Sequence, residues 1–247
     1  MLKKIIFLIG TLLLTSIVAY ASVVALSDTY RVELGQHTFE IPKQYSREGW
    51  MPQWLSSAPG LDDGSRAYLL EFPAEELAEA VPGYQPMDGR YREDIVAILY
   101  ALTPVEVARY SESDRYRDLR DLWDATGSYR ERIVEAYPDR PWFKVYRKIE
   151  YPDVWAVVKQ SPESGEPLPN KPSEFWIASC RATTSPITET GKLERCSTYA
   201  FYDDTAIEFS VRGKNLHLID EIRTYLRSKV ESWRVTDKEP DSQKRRD

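Results

Sequence analysis

The chain has two cysteines, Cys180 and Cys196, and each sits in a stretch that alternates apolar and polar residues. Glu174 to Cys180 reads Glu-Phe-Trp-Ile-Ala-Ser-Cys and Cys196 to Tyr202 reads Cys-Ser-Thr-Tyr-Ala-Phe-Tyr, the period-two pattern of strands. A hairpin that sets Cys180 opposite Cys196 places Ala178 against Thr198 and Trp176 against Ala200, with its loop centred near Thr188. Asp203-Asp204 then turns the chain into Thr205 to Val211, putting Ile207 opposite Ala200 and Phe209 opposite Thr198. One register therefore predicts a meander with Trp176, Cys180, Ala200, Ile207, Phe209 and Val211 on a single face. That face needs a cover. Leu216, Ile219, Ile222, Leu226, Val230 and Trp233 recur at spacings of three and four, which predicts an amphipathic helix from about Asn215 to Trp233 lying on it.

Whether the cysteines are oxidised depends on the compartment, which the N-terminus decides. Lys3-Lys4 precede an apolar run from Ile5 to Val18 and the small-residue pattern Ala19-Tyr20-Ala21, as in a signal peptide cleaved before Ser22. Apolar character continues to Leu26, so residues 5–26 also meet the roughly 20-residue length of a signal anchor held in the inner membrane. Both readings export the body from Ser27 onward. An even cysteine count in an exported chain predicts a Cys180–Cys196 disulfide. Two thiolates without neighbouring histidines make a poor zinc site, and the chain's only histidines are His37 and His217.

Upstream, Tyr30 to Leu34, Gly35-Gln36 and His37 to Ile41 read as a tight hairpin with Tyr30, Val32 and Leu34 facing Phe39 and Ile41, stopped by Pro42. His37 flanks the turn as a surface polar residue. Residues 43–65 fit no period and read as a long irregular loop, in which Trp50 and Trp54 are candidate partner anchors. Arg66 to Phe72 predicts a strand, Pro73 to Ala80 a short acidic helix, and the apolar run Ile95 to Tyr100 a central strand covered on both faces. Pro104 to Tyr137 reads as a highly charged helical segment with a break near Gly127; Glu112, Asp114, Asp118 and Asp121 are its candidate contacts for a protein. Trp142 to Ile149 and Asp153 to Val158 predict two further strands around Tyr151-Pro152, and Ser161 to Ser173 a polar loop. His217 falls outside the apolar stripe and is expected to be exposed. The architecture expected is α+β: a mostly antiparallel sheet, a disulfide-linked C-terminal meander packed by a C-terminal helix, and a charged helical segment. Residues 27–236 would form one domain and 237–247 a disordered charged tail.

The chemistry is sparse. No nucleophile elbow, His-Glu-x-x-His pair, phosphate loop or dinucleotide fingerprint occurs. The Asp62-Asp63 and Asp203-Asp204 pairs sit in turns, where aspartate is favoured for backbone reasons. No catalytic residue, cofactor or metal is expected. The net charge of −6 becomes two units more negative once Lys3 and Lys4 are cleaved off, which argues against nucleic acid and suits a basic partner. Sixteen tyrosines and seven tryptophans exceed what a core of this size consumes, and amphipathic aromatics at the surface mark recognition patches.

The run Val-Glu-Leu-Gly-Gln-His-Thr-Phe-Glu-Ile-Pro-Lys-Gln-Tyr from Val32 to Tyr45, behind a leader and ahead of a Trp/Pro loop, resembles small periplasmic immunity proteins of Gram-negative type VI secretion systems. The resemblance covers about a tenth of the chain. It implies a stoichiometric inhibitor of a secreted toxin, often a lipase or wall hydrolase, and carries over no catalytic residue. The cognate toxin would be basic or carry a basic active-site rim. A membrane-anchored envelope accessory module and a hydrolase with an unrecognised carboxylate pair are the alternatives.

Overall fold

A computed structural model of the chain describes residues 28–47, 67–102, 126–138, 140–147, 153–160, 176–202 and 204–235. In chain order these form β1 (Thr29–Leu34), β2 (His37–Pro42), β3 (Ala67–Phe72), α1 (Ala74–Ala80), β4 (Met87–Asp88), β5 (Tyr91–Arg92) and β6 (Ile95–Ala101). There follow β7 (Ile133–Ala136), β8 (Trp142–Tyr146), β9 (Val154–Lys159), β10 (Trp176–Thr184), β11 (Lys192–Tyr202), β12 (Thr205–Arg212) and α2 (Ile219–Ser232). Eight strands make one antiparallel sheet in the order β3-β6-β12-β11-β10-β9-β8-β7. The hairpins β1–β2 and β4–β5 stand apart from it. The fold is the α+β, sheet-dominated architecture expected.

The meander forms around the disulfide. Cys180 and Cys196 are directly paired, bonded, and 4.0 Å apart at Cα, while Ile207 faces Ala200 and Phe209 faces Thr198 as the sequence predicts. Trp176 departs from the prediction. Ala178 pairs with Val157 but Trp176 pairs with Val158, so Ile177 is a bulge residue. One extra residue moves everything before it to the other face. Trp176 therefore leaves the cysteine face and packs with Val145, Ala156 and Val158 on the opposite side.

The cysteine face carries the main core. From the sheet come Phe72, Leu70, Ile95, Leu99, Ile207, Phe209 and Val211, and from α2 come Ile219, Ile222, Leu226 and Val230, all nearly or fully buried. The β1–β2 hairpin adds Leu34, Phe39 and Ile41, and α1 adds Leu77. Burying side chains of this size stabilises by roughly 1.5–3 kcal/mol each. The hairpin keeps the register expected, Val32 against Phe39 and Tyr30 against Ile41, with Gly35 at φ +60° in its turn. It is tied to the end of α2: Glu40 N–H donates to Trp233 C=O at 2.7 Å and Val235 N–H to Thr38 C=O at 2.8 Å.

Four further expectations are corrected. Residues 126–137 are not helical: a short 3-10 turn, Gly127–Tyr129, leads into β7. Ile133-Val134 is a β-branched pair, which suits a pleated edge better than a helix, and β8 offers that edge. In β6 the burial alternates, so Val96, Ile98 and Tyr100 are only half-buried and the strand is covered on one face. The C-terminal helix begins as a 3-10 segment, Gly213–Leu218, before α2. Buried Asn215 uses its amide there to bridge the backbone N–H and C=O of Gln85, at 2.9 Å each, and His217 is half-buried rather than exposed.

The expectations for residues 1–21, 5–26, 104–125, 161–173 and 237–247, and for nearly all of the Trp/Pro loop, lie outside the described residues. Among the described residues no helix is long and apolar enough to cross a membrane.

Candidate functional site

Every second side chain of the sheet points away from α2, and no described α-helix packs on that side, although Tyr129 of the 3-10 turn lies against Val145, Ala156 and Val158 and Tyr91 lies against Arg212. Strand pairing lines these residues up: Phe201, Ala206 and Tyr100 in one row; Tyr199, Glu208 and Ile98 in the next. Trp176, Val158 and Phe143 form a third row, and Ser179, Ala156, Val145 and Val134 a fourth. The bulge at Ile177 brings Trp176 beside Tyr199, ring centres 5.8 Å apart, and Tyr199 stacks on Phe201 at 6.0 Å. Among the described residues five large apolar side chains are exposed, and three of them lie on this face: Phe201 at 40%, Val134 and Val154 at 44% each. Apolar exposure concentrated in this way marks an interaction surface.

The polar clusters on the other side hold the covering elements together. Glu76 on α1 accepts from Tyr45 at 2.6 Å, from Tyr225 at 2.5 Å and from Lys229 at 2.5 Å. Burial alone would raise its pKa, but the hydrogen bonds from Lys229, Tyr225 and Tyr45 outweigh that and keep it below the usual glutamate value. The cluster joins α1, α2 and the turn after β2. A second cluster pairs His37 Nε2 with Asp204 Oδ1 across the fold, with Gln36 donating to Asp204 at 3.1 Å. Burial would raise the Asp204 carboxyl, and hydrogen bonds from Gln36 and His37 more than offset it. Arg234 lies 2.5 Å from Nδ1 of the same ring. Both ring nitrogens are thereby occupied, so His37 presents neither to a substrate as a general base.

A third cluster sits between the start of β6 and the end of β12. Glu93 is 1% exposed, its carboxylate oxygens have no hydrogen-bond partner, and Arg212 Nε stands 3.7 Å away. Burial pushes its pKa up to about 7, with Arg212 and Lys214 pulling the other way. Beside it lies a cavity of about 10 Å³, lined among others by Tyr84, Arg195, Ser210 and Arg212. That is room for one water molecule, not for a substrate.

The structure brings together Cys180 and Cys196 but leaves the other candidate contacts, Trp50, Trp54, Glu112, Asp114, Asp118 and Asp121, outside the described residues. Among the described residues no group of three or more His, Cys, Asp and Glu is placed to hold a metal ion. His37–Asp204 and the open-face ladder were missed from sequence. Asp204 does lie in the predicted turn, but its partner is 167 residues away, and the ladder depends on the bulge. The half-polar alternation of Tyr199 and Phe201 was the one usable signal.

The fold and site together define an α+β protein with one large sheet whose one face is covered by α2 and whose other face, among the described residues, is aromatic and partly exposed. No protein-family model matches the chain, and no curated protein matches it. Among solved structures it is similar to an immunity protein of the Stenotrophomonas maltophilia type IV secretion system, with 12% identity and a TM-score of 0.49 over 85% of this chain and 94% of that one. That likeness is too slight to carry either the fold or the function of this chain.

Proposed function

We propose that the protein is a stoichiometric binder of one cognate protein: an immunity or inhibitor protein that neutralises a secreted toxin in the periplasm, of the kind found beside type VI secretion systems. The open sheet face carries this reading. Exposed Phe201, Val154 and Val134 flank an aromatic ladder, a surface suited to another macromolecule rather than to a small substrate. The Val32 to Tyr45 run supports the same class by resemblance. Residues 1–21 would deliver the body and be removed, leaving it free to diffuse.

The test is capture from the native host followed by native mass spectrometry and a protection assay. One protein retained at one-to-one stoichiometry, whose periplasmic toxicity disappears on co-expression of this chain, is the expected result. Retention of no specific protein, or a retained protein whose toxicity is unchanged, overturns the reading.

A further inference from the structure

On the open face, three arginines stand side by side. Arg181 on β10 pairs directly with Arg195 on β11, and Arg195 pairs directly with Arg212 on β12. Adjacent strands are about 4.8 Å apart, and like charges directly opposite one another destabilise a sheet. Val154 completes the row on β9, opposite Arg181. Arg181 and Arg195 are exposed, and no acid among the described residues pairs with either. Arg212 differs: it lies over the ring of Tyr91, 4.2 Å from its centre, and leans towards buried Glu93. Arg195 shares the wall of the Glu93 cavity without an ion pair. The next residues up these strands on the same face are Ser179, Ser197 and Ser210, and beyond them come the aromatics Trp176 and Tyr199.

A chain with a net charge of −6 has no general reason to line up three cations. The local sign is the reverse of the global one. Arginine and aromatics are also the residues that dominate protein contact energetics, because the guanidinium fork pairs with carboxylates and the rings fill apolar pockets. We propose that this face docks the cognate protein through a carboxylate-bearing surface, with Arg181 and Arg195 meeting aspartates or glutamates and Val154, Trp176, Tyr199 and Phe201 meeting apolar side chains beside them. This rests on the binder reading above and reverses, for this face, the basic partner expected from total charge. A phosphate polymer would answer to the same arginines, and the oligothymidylate titration below separates it from a carboxylate surface.

The experiment uses the full exported chain and the double variant R181E/R195E, with the milder R181Q/R195Q as a second variant. R181Q/R195Q removes the like-charge repulsion and should melt no lower than the parent; R181E/R195E replaces one like-charged pair by another across β10 and β11 but gains an opposite charge beside Arg212, so it should melt close to the parent. A poly-L-glutamate peptide, a poly-L-lysine peptide of equal length and oligothymidylate are titrated by calorimetry at low and moderate salt. Poly-L-glutamate should bind best, weaken with salt, and lose at least tenfold in affinity to the charge-reversed variant and several-fold to the neutral one. Preference for poly-L-lysine, equal or tighter binding of oligothymidylate, or no loss in either variant overturns the proposal. The captured partner separates the two claims. If it binds R181E/R195E as tightly as the parent, this surface is wrong and the binder reading stands. If the parent captures nothing, the binder reading falls, and with it this assignment of the face to a protein.

Discussion

Arg223 on α2 donates a hydrogen bond of 3.0 Å to the carbonyl of Ile177, the extra residue of the β10 bulge. The same guanidinium reaches Tyr199 C=O at 3.0 Å and Thr198 Oγ1 at 2.7 Å, while Thr198 donates to Ile177 C=O at 2.6 Å. A bulge interrupts the ladder and leaves backbone groups to be satisfied by other means. Here the covering helix supplies the donors from the opposite side of the sheet. The arrangement that points Trp176 towards the open face is therefore held in place by α2.

Replacing Arg223 by Met should cost roughly 2–4 kcal/mol, because the Tyr199 and Ile177 carbonyls each lose a charged donor in a largely buried setting. Lys in its place should recover only part, since a single ammonium cannot reach both carbonyls as a fork does. Urea denaturation of the parent, R223M and R223K measures this. A lysine variant as stable as the parent would show that the fork is unimportant.

Glu93 should make stability fall with rising pH. Its folded pKa of about 7 lies above the ordinary 4.5, so the folded state binds the proton more tightly than the unfolded one. The contribution is fully present below the unfolded value and is lost as pH rises through the folded one. E93Q, which mimics the protonated acid, should then exceed the parent by on the order of 2–3 kcal/mol at pH 8 and by less than about 1 at pH 5. Denaturation midpoints of both proteins across that range give the answer, and parallel curves would refute it.

Cys180 and Cys196 close a loop with a sequence separation of 16, and C180S should cost on the order of 2–4 kcal/mol. The meander is paired on both outer sides, to β9 and β6, so the fold should survive the loss. Equal melting with and without reductant would show that the bridge adds nothing.

Much of the covered side was legible in the sequence. The cysteine spacing, the Asp203-Asp204 turn and the stripe from Leu216 to Trp233 each fix a local geometry, and all three agree on which face is apolar. The β1–β2 hairpin was readable for the same reason: Gly35-Gln36 sets the register of both strands. The open face was not. The run Ile95 to Tyr100 is apolar throughout, so it reads as a strand buried on both sides, although Val96, Ile98 and Tyr100 are only half-covered. Ile133-Val134 was absorbed into a charged helical pattern because the strand it pairs with lies beyond a turn.

By itself, then, the sequence determined the disulfide pairing, the meander register from Cys180 through β12 and the face that α2 covers, because period, turn length and cysteine position are properties of neighbouring residues. Only the tertiary structure decided the direction of Trp176 and the joining of His37 to Asp204. Each depends on a one-residue shift or on strands distant in sequence, and no local preference encodes which strand becomes the neighbour of which.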